Sequence, residues 1–180
     1  VQLGIAGPLV FALIIETALR RESGAVARTL FWLLLLILAW MTGIVLSARP
    51  SIDPRVATAL TITAACFMSP LFCLLMLHYA RVEIVEQRVA VRWAVVAPFG
   101  LFGLAFATNG AHGWMADPVR LTLEGGVPRD AGALYWAFQI WTNLTAVVGL
   151  ALAARIGLRA RSRAERRRMG LVVLGALAPL

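Results

Sequence analysis

Few side chains in this 180-residue sequence are of the kinds that do chemistry: two histidines, two cysteines, nine carboxylates and seventeen arginines, with no lysine. A metal or haem centre needs several His, Cys, Asp or Glu at one depth. His78 and His112 are far apart in the chain, and no HExxH, GxSxG or Gly-rich phosphate loop occurs. The absence of lysine excludes a retinal or pyridoxal Schiff base on this stretch. Cys66 and Cys73, seven apart in one apolar block, share a helix face; they are too distant along a straight helix for a disulfide and read as small packing residues. Asn143-Leu144-Thr145 matches a glycosylation sequon but lies inside an apolar block.

What remains is recognition chemistry. Asn109, His112 and Trp114 group an amide, an imidazole and an indole within six residues, suited either to contacting a ligand or to an interfacial belt. Trp136, Gln139 and Asn143 recur at i, i+3 and i+7, on one helical face. Because an amide in lipid lacks partners, that face is expected to point into a helix bundle, for interhelical hydrogen bonding or for ligand contact. His78, beside Tyr79 and Arg81, reads as an interfacial packing residue or a proton-sensitive group.

The elements that position these residues are set by hydropathy. Apolar residues make up 61% of the chain and charged ones 14%, and the apolar residues come in blocks about the length needed to cross a bilayer. The expected fold is an all-α polytopic transmembrane helix bundle, with spans at about 3–19, 29–47, 55–80, 93–108, 131–154 and from 169 to 180 and beyond. Glu16 and Arg20 at i, i+4 read as a snorkelling pair closing the first span. Asp53-Pro54 is a start signal for the third, and Asp130 a cap for the fifth. Pro70 and Pro98 fall inside spans and are candidate hinges; Gly100 and Gly103 offer close helix contact.

Orientation follows from the arginines. Arg155, Arg159, Arg161, Arg163, Arg166, Arg167 and Arg168 form a basic stretch, 155–168, expected to be a cytoplasmic loop meeting anionic headgroups. Arg20, Arg21, Arg28, Arg81, Arg88 and Arg92 fall on the same side; only Arg49, Arg55, Arg120 and Arg129 fall on the other. The amino terminus is therefore expected outside, with an outer loop at 109–130. The net charge of +8 is concentrated at span ends, which argues for lipid headgroups and against nucleic acid. The chain reads as a fragment, truncated at both ends, with six spans of seven.

Several short features occur in a telling order: Ser69-Pro70 with LFCLLMLHYAR, then Thr108-Asn109-Gly110-Ala111-His112, then YWAFQIWTNLTAVVGLALAARIG, then ERRRMG running to Pro179. From about Val56 to Leu180 this order resembles the amino-terminal seven-helix input region of bacterial and archaeal membrane histidine kinases. The resemblance implies a membrane-embedded sensory domain in the plasma membrane that detects an extracytoplasmic or intramembrane signal, a small molecule or a lipid. It further implies a homodimer whose kinase output lies beyond this segment and signals to a response regulator. ATP and Mg are expected only in that kinase region, and this segment carries no catalytic, cofactor or metal residues. The same input region precedes diguanylate cyclases and PAS modules, and a small transporter or channel subunit is the alternative from another class.

Overall fold

The structure, a computed structural model, describes residues 24–49, 51–115, 131–160 and 162–177. The expected span at 3–19, the loop residues 116–130, Asp130, Arg161 and Pro179 lie outside these. The described elements are α1 (Gly24–Ser47), α2 (Pro54–Tyr79), α3 (Glu83–Gln87), α4 (Val89–Ala107), α5 (Asn109–His112), α6 (Ala133–Arg159) and α7 (Arg163–Leu177). Among the described residues four helices are long and apolar enough to cross a membrane: Gly24–Ser47, Val56–Tyr79, Val89–Ala107 and Ala133–Arg159. The all-α polytopic bundle expected from hydropathy is therefore what forms.

Four threonines inside the spans satisfy their hydroxyls on their own helices. The hydroxyls of Thr29, Thr42, Thr61 and Thr145 donate to the carbonyls of Ala25, Leu38, Ala57 and Trp141, one turn back, at 2.8–3.0 Å. In hydrocarbon no water offers an alternative partner, so this back-bonding is what makes a threonine tolerable there.

Helix α2 is the hub, packing against α1, α4 and α6. It begins at Pro54, where the Asp53-Pro54 signal places it, and presents Ala57, Ala64, Cys66, Pro70 and Cys73 as buried positions. These small side chains let neighbouring backbones approach. A Cβ added at Gly43 of α1 would strike Thr61 and lie 3.1 Å from the carbonyl oxygen of Ala57. At Gly149 of α6 it would lie 2.7 Å from the Phe72 ring, and at Gly157 3.1 Å from Met169 of α7. The close contacts expected at Gly100 and Gly103 do not form, since neither has a neighbour within 4 Å of a built Cβ. Gly100 is exposed, and Gly103, half-buried on the side of α4 that carries Phe99 and Phe106, is held off its neighbours by those rings, which make the contact instead.

Two clusters fill the interior. One joins α2, α4 and α6 through Cys66, Phe99, Phe106, Tyr135 and Phe138, together with Met115 from the segment after α5. Phe138 stands at its centre, its ring edge-on to Phe102 at 5.5 Å and Phe106 at 5.4 Å, the quadrupole-favoured geometry. The other joins α1, α2 and α6 through Leu33, Leu75, Met76 and Ala153, with Val172 and Val173 of α7 against it.

Element boundaries differ from hydropathy in one consistent way. α4 starts at Val89 rather than 93, α6 continues through Arg155 and Arg159, and α7 begins at Arg163, inside the basic stretch. Arginine is a good helix former with a stem long enough to reach headgroups, so charge ends a membrane span without ending the helix. Hence most of 155–168 is helical, α6 ending at Arg159 and α7 starting at Arg163.

At the end of α2 the chain reverses in a Schellman motif: the Val82 N–H donates to the Leu77 carbonyl and the Arg81 N–H to the His78 carbonyl. This requires a left-handed residue, and that residue is Arg81, with φ 51°. Arg81→Gly is expected to raise stability by roughly 0.5–1 kcal/mol, read from unfolding in a single detergent, because glycine adopts that conformation without the Cβ penalty. Gly43→Val is expected to lower it by about 1–3 kcal/mol in the same assay, because the Ala57 and Thr61 backbone cannot yield as a side chain would.

Candidate functional site

The sequence-predicted recognition residues divide between two places at the end of the bundle where α4 stops and α6 begins. Asn109, His112 and Trp114 come together; Trp136, Gln139 and Asn143 follow along α6.

The first group is a cap built on one turn of helix. After α4 the Thr108 hydroxyl donates to the Leu104 carbonyl at 2.9 Å and, as acceptor, lies 3.0 Å from His112 Nε2. The Trp114 N–H donates to His112 Nδ1 at 3.0 Å. With Nδ1 accepting and Nε2 donating, the network assigns the neutral Nε2–H tautomer. Gly113, φ 66°, closes α5 by donating to the Asn109 carbonyl at 2.8 Å. Asn109 Oδ1 accepts from the Met115 N–H at 2.8 Å. Every one of these bonds turns the chain so that Met115 drops into the aromatic cluster, where it is 1% exposed. The Trp114 indole stays outside, 62% exposed, its ring 4.8 Å from that of His112.

The cap is docked onto α6 by contact with Gly132, the residue that precedes the helix. A Cβ there would collide with the Trp114 carbonyl, so only glycine admits this approach. Gly132 is also the N-cap of α6, in place of the aspartate expected two residues earlier. Sequence reasoning missed Met115, Gly132 and Tyr135; the i, i+4 spacing of Thr108 and His112 was the available signal for the cap.

Along α6 the outcome differs from expectation. Trp136 and Asn143 are exposed among the described residues, and Gln139 is half-buried, so this face does not point into the described bundle. The buried face is Tyr135, Phe138, Thr145, Gly149, Ala153 and Gly157. Aromatic bulk and close glycine contacts outrank two amides whose needs are met locally: Gln139 Nε2 donates to the Tyr135 hydroxyl at 3.1 Å, and Asn143 Nδ2 to the Gln139 carbonyl at 2.9 Å. Between them, Trp141 Nε1 and Thr142 Oγ1 are buried with no hydrogen-bond partner among the described residues. A polar atom left so in a span is costly unless something else reaches it.

The two candidate hinges are both within helices. Pro70, in α2, is among the most deeply buried side chains, and Pro98 is at the middle of α4 rather than near its start. His78 is buried at the end of α2, whereas His112 lies beyond the far end of α4. The 19 residues of α4 separate their levels by about 28 Å, so the histidines cannot share a ligand. Among the described residues no three His, Cys, Asp or Glu are grouped to hold a metal ion. Cys66 and Cys73 are buried thiols, not bridged.

At the opposite end are the arginines. Arg155 and Arg159 are exposed in the last turns of α6, and Arg163, Arg166 and Arg167 in the first turns of α7. Arg166 Nη2 donates to the Ala160 carbonyl at 3.3 Å, a cation on the negative end of α6.

With this geometry in view, comparison with known protein families matches residues 3–180 to the family model described as the N-terminal 7TM region of histidine kinase. No curated protein and no solved structure matched the chain. The membrane-region match and the four apolar helices together make it a multi-pass membrane protein.

The cap generates a paired prediction. Asn109→Ala is expected to accelerate hydrogen exchange at the Met115 amide by about fivefold, one hydrogen bond being worth about 1 kcal/mol. His112→Ala is expected to accelerate exchange at the Trp114 amide first. Equal acceleration of both amides in both variants would mean that the cap opens as a unit and that neither bond governs its own amide.

Proposed function

The chain belongs to the family of N-terminal 7TM regions of histidine kinases, and from that premise we propose that it is the sensory input domain of a plasma-membrane two-component kinase. The reading has the Asn109–Met115 end outside and the arginine-rich end in the cytoplasm. The observation that carries it is Met115. The segment exposed at the outer end plugs a side chain into the same cluster that joins α2, α4 and α6. Anything that binds the segment more tightly in one arrangement of Met115 biases those three helices, which is the differential affinity a receptor needs.

In this reading a small molecule or lipid is recognised by Trp114 and His112 at the rim, or by Trp136, Asn143 and the unpartnered Trp141 and Thr142 groups along α6. Asn109 and His112 hold the cap. Pro70 and Pro98 each leave one carbonyl of their helix without its usual donor, which makes them the hinge positions of this reading. The shift passes to the cytoplasmic ends and, in a homodimer, changes the rate at which the kinase phosphorylates itself with MgATP before the phosphoryl group passes to a response regulator. The arginines, held at anionic headgroups, keep that side in place.

Two measurements test this in the full-length protein. With Cys66 and Cys73 replaced by alanine, Ala111→Cys in intact cells is expected to react with an impermeant thiol reagent, while Ala164→Cys reacts only after lysis. The reverse pattern would remove the receptor reading altogether. In nanodiscs, Met115→Ala is expected to change basal autophosphorylation several-fold without loss of folded protein; unchanged autophosphorylation would uncouple the outer cap from the output.

A further inference from the structure

At the arginine-rich end, where α2 stops beside the last turns of α6, the bundle leaves an open cavity of about 620 Å³ whose walls include Tyr79, Val82, Leu152, Arg155, Ile156 and Arg159. Arg155 and Arg159 are four residues apart, on one face of α6, so both border it. Among the described residues neither has an ion-pair or hydrogen-bond partner, whereas Arg166 does. Among the described residues no carboxylate lines the cavity, and Val82, Leu152 and Ile156 make part of its wall apolar.

Two helix carboxyl ends also face this region, and each carries about half a negative charge, which opposes an anion. Both are already answered. The last carbonyls of α2, those of Met76, Leu77 and His78, accept from the N–H groups of Ala80, Val82 and Arg81. The Ala160 carbonyl beyond α6 accepts from Arg166. What is left uncompensated is two full guanidinium charges, and these outweigh the residual dipoles. The left-handed Arg81 acquires a reason in this light: it closes the reversal that ties up the α2 carbonyls at the cavity edge.

We propose that this cavity binds a phosphate ester, specifically the headgroup phosphate of an anionic phospholipid. Arg155 and Arg159 donate to its oxygens in the forked geometry guanidinium favours, and the Tyr79 hydroxyl adds a third donor. Val82, Leu152 and Ile156 take the first methylenes of an acyl chain. A free phosphate ester shares the headgroup chemistry but leaves that wall unused. The site does not depend on the receptor reading, since it requires only that this end of the bundle meets headgroups.

The test is native mass spectrometry of the purified protein released from detergent micelles doped with phosphatidylglycerol, phosphatidylcholine or soluble glycerol 3-phosphate. Phosphatidylglycerol is expected to be retained in preference to phosphatidylcholine. Its retention is expected to weaken about tenfold or more in the Arg155→Gln/Arg159→Gln variant, because charged hydrogen bonds are lost. Arg163→Gln/Arg167→Gln, which removes the same two charges outside the cavity, is expected to leave it unaltered. Tyr79→Phe, which keeps every charge, is expected to weaken it a few-fold and decides the matter if the Arg155→Gln/Arg159→Gln variant does not fold. Equal retention of phosphatidylcholine, or equal loss in the Arg163→Gln/Arg167→Gln variant, would reduce the effect to general surface charge and overturn the proposal. Displacement of the lipid by equimolar glycerol 3-phosphate would overturn the lipid as ligand.

Discussion

Hydrocarbon supplies no hydrogen bonds and little drive to push one helix against another, and each feature of this bundle is a response to that constraint. Attraction has to come from close fit, so α2 is built from alanines, cysteines and a buried proline where its neighbours touch it. Gly43 and Gly149 remove the last side-chain atom from the facing helices at their tightest approaches. Threonine hydroxyls fold back on their own carbonyls, and the Gln139 and Asn143 amides are satisfied within α6. With most polar needs met inside each helix, Trp141 Nε1 and Thr142 Oγ1 excepted, packing is free to decide which faces meet.

The two ends of the bundle solve the opposite problem, how to finish a helix where water returns. At one end α4 finishes in a cap whose donors and acceptors are Thr108, Asn109, His112 and the backbone after them. Its product is a hydrophobic anchor, Met115, seated among aromatic rings. At the other end α2 and α6 finish with arginine: Arg81 takes the left-handed position and Arg166 reaches back to Ala160. The basic stretch is thus part capping device and part open charge. Arg166 belongs to the first kind, Arg155 and Arg159 to the second.

This division gives the bundle mechanical polarity. The aromatic cluster joins α2 to α4 and α6 near the capped end, whereas the aliphatic cluster joins α1, α2 and α6, with α7 against it, toward the arginine end. Helices α2 and α6 run through both. A displacement at the cap therefore has a packed route to the arginine end, along helices of 26 and 27 residues that stay continuous over their whole length.

Much of this was legible without coordinates. Block length and the placement of arginine determined that the chain is a helical membrane bundle and which ends lie together, because the cost of burying charge in lipid is large and local to the residue. The order of short features identified the family for the same reason: each is a contiguous run. The Thr108–His112 pairing was within reach of spacing alone. Tertiary structure alone decided which face of α6 is inside, because an amide can meet its needs on its own helix while Phe138 can find ring partners only on another. It alone chose Gly149 over Gly100 as a contact, brought Gly132 under Trp114, and set Arg155 and Arg159 beside Tyr79, since each of these depends on residues distant in the chain whose approach no local pattern records.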